Sequence, residues 1–146
     1  MKKQKIYLAG PFFTEHERFL INQYAKILRT QYDVFVPMEH FVEGGKDMPN
    51  KLWGQKVFEL DKKGIDEADI VVAVDHGFTS DAGTAWEVGY AYGTNKTVYV
   101  ISACENTNPI HSLMMVNGCS NFFDSFADLW TFLNKGKIVT TILEVK

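Results

Sequence analysis

Asp69-Ile-Val-Val-Ala-Val-Asp75 reads as a β-strand that is apolar on both faces, with a carboxylate at each end. A strand with one wet face alternates apolar and polar side chains. An unbroken apolar run instead marks a central parallel strand covered by helices on both sides. A loop from His76 to Ser80 follows, then a helix from about Asp81 to Thr94 with Asp81 as its N-cap.

The same order recurs on either side. Toward the N-terminus, Ile6-Tyr7-Leu8-Ala9 stops at Gly10-Pro11 and reads as a buried first strand. Thr14 and Glu17 have capping-box spacing, and Leu20, Tyr24, Ile27 and Leu28 share one face of the helix they open. Val34-Phe35-Val36 before Pro37 is a second strand. Residues 37–51 hold two prolines and Gly44-Gly45 and read as a long loop, a kind of segment that is often functional. Trp53, Val57, Leu60, Gly64 and Ile65 outline a second helix, with Gly64 a weak spot near its end. Toward the C-terminus, Thr97 to Ile101 is a fourth strand and Pro109 to Val116 a short helix. Phe122-Phe123 is a candidate fifth strand, Ser125 to Asn134 a last helix, and the β-rich 138–145 stretch a candidate edge strand.

Alternating strands and helices imply an α/β protein with a parallel sheet covered on both faces. With about five strands, the expectation is a flavodoxin-like or Rossmann-like three-layer sandwich forming a single domain over residues 1–146. Ligands of such sheets sit beyond the carboxyl ends of the strands. That rule places Gly10, Pro11, Asp75, Gly77 and Ser102 near a site.

The bulk numbers fit. A chain of 146 residues with 46% hydrophobic and 23% charged side chains buries a core without staples. A net charge of −3 argues against a nucleic-acid polymer as partner, since phosphate backbones are held by clustered Lys and Arg. Cys104 and Cys119 have neither metal-site spacing nor the number for a disulfide framework, and the four histidines are scattered. No metal site is expected. The apolar run after Met1-Lys-Lys-Gln-Lys5 is too short for a signal peptide or a membrane span, so the expectation is a cytoplasmic protein without a membrane partner.

The chemistry concentrates in Asp81-Ala-Gly-Thr-Ala-Trp-Glu-Val-Gly89. Four small residues follow the cap, so a ligand can approach the helix start closely. Gly83 and Glu87 are four apart and share a face, which puts Glu87 beneath the space that Gly83 leaves open. Taken singly, each feature has a plainer explanation. A helical Glu is most often solvated, Asp81 alone is a cap, Tyr7 on a strand is most often core, and Phe12 and Phe13 fit a core equally well. The argument lies in their coincidence. No Gly-x-Gly-x-x-Gly, Gly-Lys-Ser/Thr or Gly-x-Ser-x-Gly motif competes. What remains near the strand ends is a set of carboxylates, Asp61, Asp75, Asp81 and Glu87, and paired carboxylates without a metal motif are the tools of glycosyl transfer.

These residues carry a resemblance. Ile6 to Phe13, Asp61 four residues before Ile65, Asp81 to Gly89, and Leu113-Met114 occur in the order seen in the nucleoside 2-deoxyribosyltransferases. The resemblance implies a flavodoxin-like fold, a homo-oligomer with shared active sites, and movement of 2-deoxyribose between bases. Deoxynucleosides and free nucleobases are then the small-molecule partners. It also implies Glu87 as nucleophile, Tyr7 as the group holding its carboxylate, Asp61 and Asp81 as contacts to the base, and Phe13 as an aromatic packed on it. Gly10, Gly83, Ser112 and Met114 complete the implied substrate-binding set. The chemistry needs no cofactor: a carboxylate below the sugar traps the oxocarbenium character at C1′, and an Asp with a raised pKa helps the base depart.

One position departs from the pattern. Where the transferases have Asn-x-Met, reaching a neighbouring subunit's site toward the sugar 5′-hydroxyl, this chain has Ser112-Leu113-Met114. A serine there resembles the 2′-deoxynucleoside 5′-phosphate N-hydrolases. Those enzymes, however, also place Ser and Arg after the first strand, where this chain has Pro11-Phe12-Phe13. Transfer between nucleosides is therefore favoured. Hydrolysis of deoxynucleosides or their 5′-monophosphates is the alternative, and a non-catalytic nucleotide-sensing module is a third reading of the same fold. The apolar run Leu113 to Val116 exceeds what one short helix buries on a single face, which fits either a subunit contact or core packing under the last helix.

Overall fold

The computed structural model describes residues 2–104 and 109–135. The strands are β1 (Lys5–Ala9), β2 (Asp33–Phe35), β3 (Ile70–Asp75), β4 (Thr97–Ser102) and β5 (Asn121–Phe123). They form one sheet in the order β2-β1-β3-β4-β5, every pair parallel. This is the flavodoxin-like order, and the turning point between β1 and β3 is where such folds open a crevice. The helices are α1 (Glu15–Leu28), α2 (Asn50–Glu67), α3 (Ala82–Gly93), α4 (Leu113–Asn117) and α5 (Phe126–Leu133). The candidate edge strand at 138–145 lies outside the described residues.

Strand side chains alternate between two cores, one on each face of the sheet. Ile6 and Leu8 of β1 and Val72 and Val74 of β3 point to one face, where Leu20, Ile21 and Tyr24 of α1 meet Phe126, Leu129 and Trp130 of α5. Tyr7, Ala9, Val71 and Ala73 point to the other, against Ile65 of α2, Val88 and Ala91 of α3, and Met115 of α4. Each fully buried aliphatic or aromatic side chain contributes about 1.5–3 kcal/mol. Covering both faces is therefore what makes the apolar run of β3 stable. No helix among the described residues is long and apolar enough to cross a membrane.

Local rules set the helix starts near the crevice. At α1, Glu17 N–H donates to Thr14 Oγ1 at 3.1 Å while Glu17 Oε1 accepts the Thr14 and Phe13 N–H groups at 3.0 and 2.8 Å. Arg18 donates to the Phe12 and Phe13 carbonyls at 3.2 and 2.9 Å. The first turns of α1 thus pin the loop that carries the two phenylalanines.

Two expectations need correcting. Gly64 is no weak point: α2 continues past it to Glu67, and an added Cβ would stand 3.0 Å from the Phe35 ring. Its lack of a side chain is what admits that ring. The 37–51 stretch is also not featureless, for it contains 3-10 turns at Pro37–Glu39 and Gly45–Asp47 and yields α2 at its end.

Candidate active site

Beyond the carboxyl end of β1 lies a cavity of about 370 Å³, a size suited to a nucleoside-scale ligand. Each side is supplied by a different element. The β1–α1 loop gives Gly10 and Phe13, α2 gives Asp61, and the start of α3 gives Asp81, Gly83 and Glu87. Gly10 keeps this turn uncrowded. A Cβ at that position would come within 3.0 Å of Ile21 and 3.1 Å of Val74, so a side chain would crowd both where the loop leaves the strand. At Gly83 an added Cβ would meet only Asp81 Oδ2, at 3.4 Å, which leaves the helix start open toward Glu87.

The half-buried Glu87 receives a hydrogen bond on Oε2 from the hydroxyl of Tyr7. Tyr7 is fully buried in β1 and stacks on Phe35 with ring centroids 5.4 Å apart. Gly64, Phe35 and Tyr7 therefore stand in one column that ends at the carboxylate. Burial pushes the Glu87 carboxyl up to about 7. The Tyr7 hydrogen bond pulls against that shift, and the charges of Asp61 and Asp81 add to it. Tyr7 is itself raised well above the usual phenol range, first by burial and then by facing Glu87. It is thus held as a donor. Asp61 is raised by burial, partly offset by nearby His40.

Asp81 has a divided role. Its Oδ2 accepts both the Thr84 N–H at 2.9 Å and the Thr84 hydroxyl at 2.8 Å, which caps α3. Both bonds fall on one oxygen. Capping therefore leaves Oδ1 for the cavity that Asp81 also lines. Among the described residues, no group of three or more His, Cys, Asp or Glu side chains is arranged to hold a metal ion.

Residues 6–127 match the sequence model of the nucleoside 2-deoxyribosyltransferases. The chain belongs to that family. Protein UU063 of Ureaplasma parvum serovar 3 is 31% identical over 90% of this chain and 95% of its own. Among solved structures, the 2-deoxyribosyltransferase of the psychrotolerant bacterium Bacillus psychrosaccharolyticus is 32% identical over 86% of this chain and 89% of that one, with a TM-score of 0.72. A conserved protein of Enterococcus faecalis V583 is 23% identical over 87% and 94%, with a TM-score of 0.66. The CMP N-glycosidase BcmB of Clostridium botulinum is 18% identical over 89% and 98%, with a TM-score of 0.60. At these last two identities the likeness concerns the fold alone.

Of the residues expected from the deoxyribosyltransferase pattern, Glu87, Asp61, Asp81, Gly10, Gly83 and Phe13 line one cavity, and Tyr7 touches it through Glu87. Ser112 and Met114 do not line that cavity. Ser112 caps α4, accepting the Met114 N–H at 3.2 Å, while Leu113 and Met114 are 78% and 80% exposed. Only Met115 of that apolar run is buried. Core packing thus accounts for one of its four residues and leaves Leu113, Met114 and Val116 exposed.

Asp75, Gly77 and Ser102 do not join the cavity either. Asp75 and Ser102 close on His111, and a Cβ at Gly77 would meet Cys104 at 3.2 Å. The carboxyl-end rule located the correct edge of the sheet but not the separation of two clusters along it. The sequence reading also gave no role to Phe58 and Trp86, which meet edge-to-face at 5.0 Å and line the cavity, Trp86 also stacking on Tyr90 at 5.1 Å. Phe58, Asp61 and Lys62 lie at i, i+3 and i+4 of α2, and that spacing was a signal for one shared wall.

Proposed function

We propose that the protein transfers 2-deoxyribose between nucleobases by double displacement on Glu87. The observation that carries this reading is a half-buried carboxylate, held by a buried tyrosine, on the wall of a nucleoside-sized cavity. A Glu87 oxygen attacks C1′ as the N-glycosidic bond breaks and the bonding pair leaves with the base. The departing base takes a proton or a strong hydrogen bond from Asp61 or Asp81. Burial favours the protonated form of Asp61 and so suits it to the donor role. The result is a deoxyribosyl ester on Glu87. A second base attacks C1′ from the opposite face, and two inversions give net retention.

Phe13, Phe58 and Trp86 offer aromatic faces for a base. Under this reading Ser112 and Met114, exposed on α4, serve the site of an adjacent subunit, and the protein works as a homo-oligomer. A nucleoside is favoured over a 5′-monophosphate. The one basic side chain among the cavity's described lining is Lys62, whose ammonium is paired with Asp66 at 3.1 Å.

The test is to incubate the protein with a deoxynucleoside and a foreign free base. Formation of the exchanged nucleoside is the expected result. Release of base without exchange would assign hydrolysis, and binding without either would leave a sensor.

A further inference from the structure

A second polar cluster lies at the carboxyl end of the sheet, apart from Glu87. Asp75 ends β3 and Ser102 ends β4, at 1% and 8% exposure. Between them stands the imidazole of His111, its Nδ1 2.6 Å from Asp75 Oδ2 and its Nε2 2.9 Å from Ser102 Oγ. A carboxylate only accepts hydrogen bonds, so Nδ1–H donates to Asp75. Nε2 shares a hydrogen bond with Ser102 Oγ, which also accepts the Cys104 N–H at 3.3 Å. The His111 side chain is 6% exposed and its ring meets Phe122 of β5 edge-on at 4.9 Å. Just before it, the Ile110 carbonyl accepts the Phe78 N–H.

The root of α4 is thus tied to the ends of β3 and β4 and packed against β5, and Ser112 is the next residue. Helix α4 has five residues and buries only Met115, so its own packing does little to fix its direction. Apolar contact is non-directional. A sealed and satisfied hydrogen-bond network specifies one geometry, and opening it leaves buried polar groups unpaired.

We propose that Asp75, His111 and Ser102 form a positioning triad that sets the angle at which α4 presents Ser112 and Met114 to the sugar end of a neighbouring subunit's substrate. This rests on the transfer reading and on the shared site it includes. The connectivity equals that of a nucleophilic Ser-His-Asp triad, but the Ser102 hydroxyl is buried and engaged by both His111 and the Cys104 N–H, so it serves to anchor.

His111→Phe keeps a ring against Phe122 and loses both polar bonds. Steady-state kinetics are compared on a 2′-deoxynucleoside donor and on its 2′,5′-dideoxy counterpart, which has no 5′-hydroxyl. The variant should raise KM for the first donor about tenfold, the weight of one hydrogen bond, with kcat and the second donor little changed. Equal losses on both donors would reduce the triad to fold stability and overturn the proposal, as would no change on either. Ser102→Ala, which removes one bond, makes the same comparison should His111→Phe fail to fold.

Hydrogen exchange of residues 109–118 gives a readout independent of turnover. Protection there should fall in His111→Phe while the rest of the chain keeps its own, and unchanged protection would overturn the anchor. A wild type that releases no base from either donor would instead sink the transfer reading, and hydrogen exchange would still judge the anchor. Stoichiometric fluorophosphonate labelling of Ser102 would replace the positioning role with a nucleophilic one.

Discussion

The Tyr7 hydroxyl donates to Glu87 Oε2 across 80 positions of sequence, from the buried face of β1 to the second turn of α3. The bond works against burial: burial raises the Glu87 carboxyl, Tyr7 draws it back toward the ionised form, and the balance stands at about 7. Under the proposed mechanism Glu87 attacks as the ionised carboxylate, which would make Tyr7 the group that keeps it usable near neutrality. Activity measured as kcat/KM should rise with pH along an acid limb near 7, since this parameter reports groups of the free enzyme. Tyr7→Phe removes the lowering contribution, so the limb should move to higher pH. A limb that stays in place, or moves down, would deny Tyr7 this role.

Glu87→Ala and Glu87→Gln should each lose several orders of magnitude in rate, because the covalent route is gone while the fold remains. Intact-mass analysis of the wild type with a deoxynucleoside should show a deoxyribosyl adduct on the peptide containing Glu87. Near-normal turnover by Glu87→Ala would remove it from the mechanism.

The raised Glu87 carboxyl also has a consequence for stability. Its folded value is about 7 against an ordinary 4.5, so the folded protein binds this proton more tightly than the unfolded chain does. Its contribution is most favourable below 4.5 and is lost as pH rises through 7. Glu87→Gln can still accept from Tyr7 and carries no buried charge. The variant should therefore melt higher than the wild type at pH 8, by a few degrees for each kcal/mol relieved, and nearly equal to it at pH 4. A gain that does not depend on pH would point to packing instead.

Much of this was legible because it is local. The apolar run of β3, the Thr14–Glu17 capping box and the Asp81 cap each depend on neighbours within a few residues, and each is present. The Gly83–Glu87 pair was legible for the same reason, since helix periodicity alone puts both on one face. The His111 network was not. Asp75, Ser102 and His111 lie 27 and 9 residues apart, and only the pairing of β3 with β4, which sets Asp75 opposite Ser102, brings them to one imidazole. Gly64 was misread because the reason for it, the Phe35 ring, comes from β2, some thirty residues earlier in the chain.

Asp81 allows the cap to be separated from chemistry. An Asn at this position still accepts from Thr84, so Asp81→Asn should leave the melting temperature nearly unchanged. Asp81→Ala should cost about 0.5–2 kcal/mol as a lost N-cap. If Asp81 also assists the leaving base, the Asn variant should be slow on a natural nucleoside and much less impaired on one with an activated leaving group. Equal rates to wild type on both donors would leave Asp81 as a cap alone.

The exposed end of α4 sets the test of assembly. Leu113 and Met114 face solvent next to Ser112, whereas Met115 is inside, so the segment has an outward face for another copy to cover. In a two-fold dimer with shared sites, a Glu87→Gln chain supplies a sound Ser112 but no nucleophile. A Ser112→Trp chain supplies a sound nucleophile but blocks its partner's sugar end. Each variant alone should be nearly inactive. Mixing them should assemble, in every hybrid, one site with Glu87 from one chain and Ser112 from the other. Random exchange of equal amounts makes half the dimers hybrid with one working site of two, so about a quarter of wild-type activity should return. Sedimentation of the same samples should show an oligomer throughout. A fully active monomer, or hybrids that stay dead while subunits demonstrably exchange, would refute the shared site.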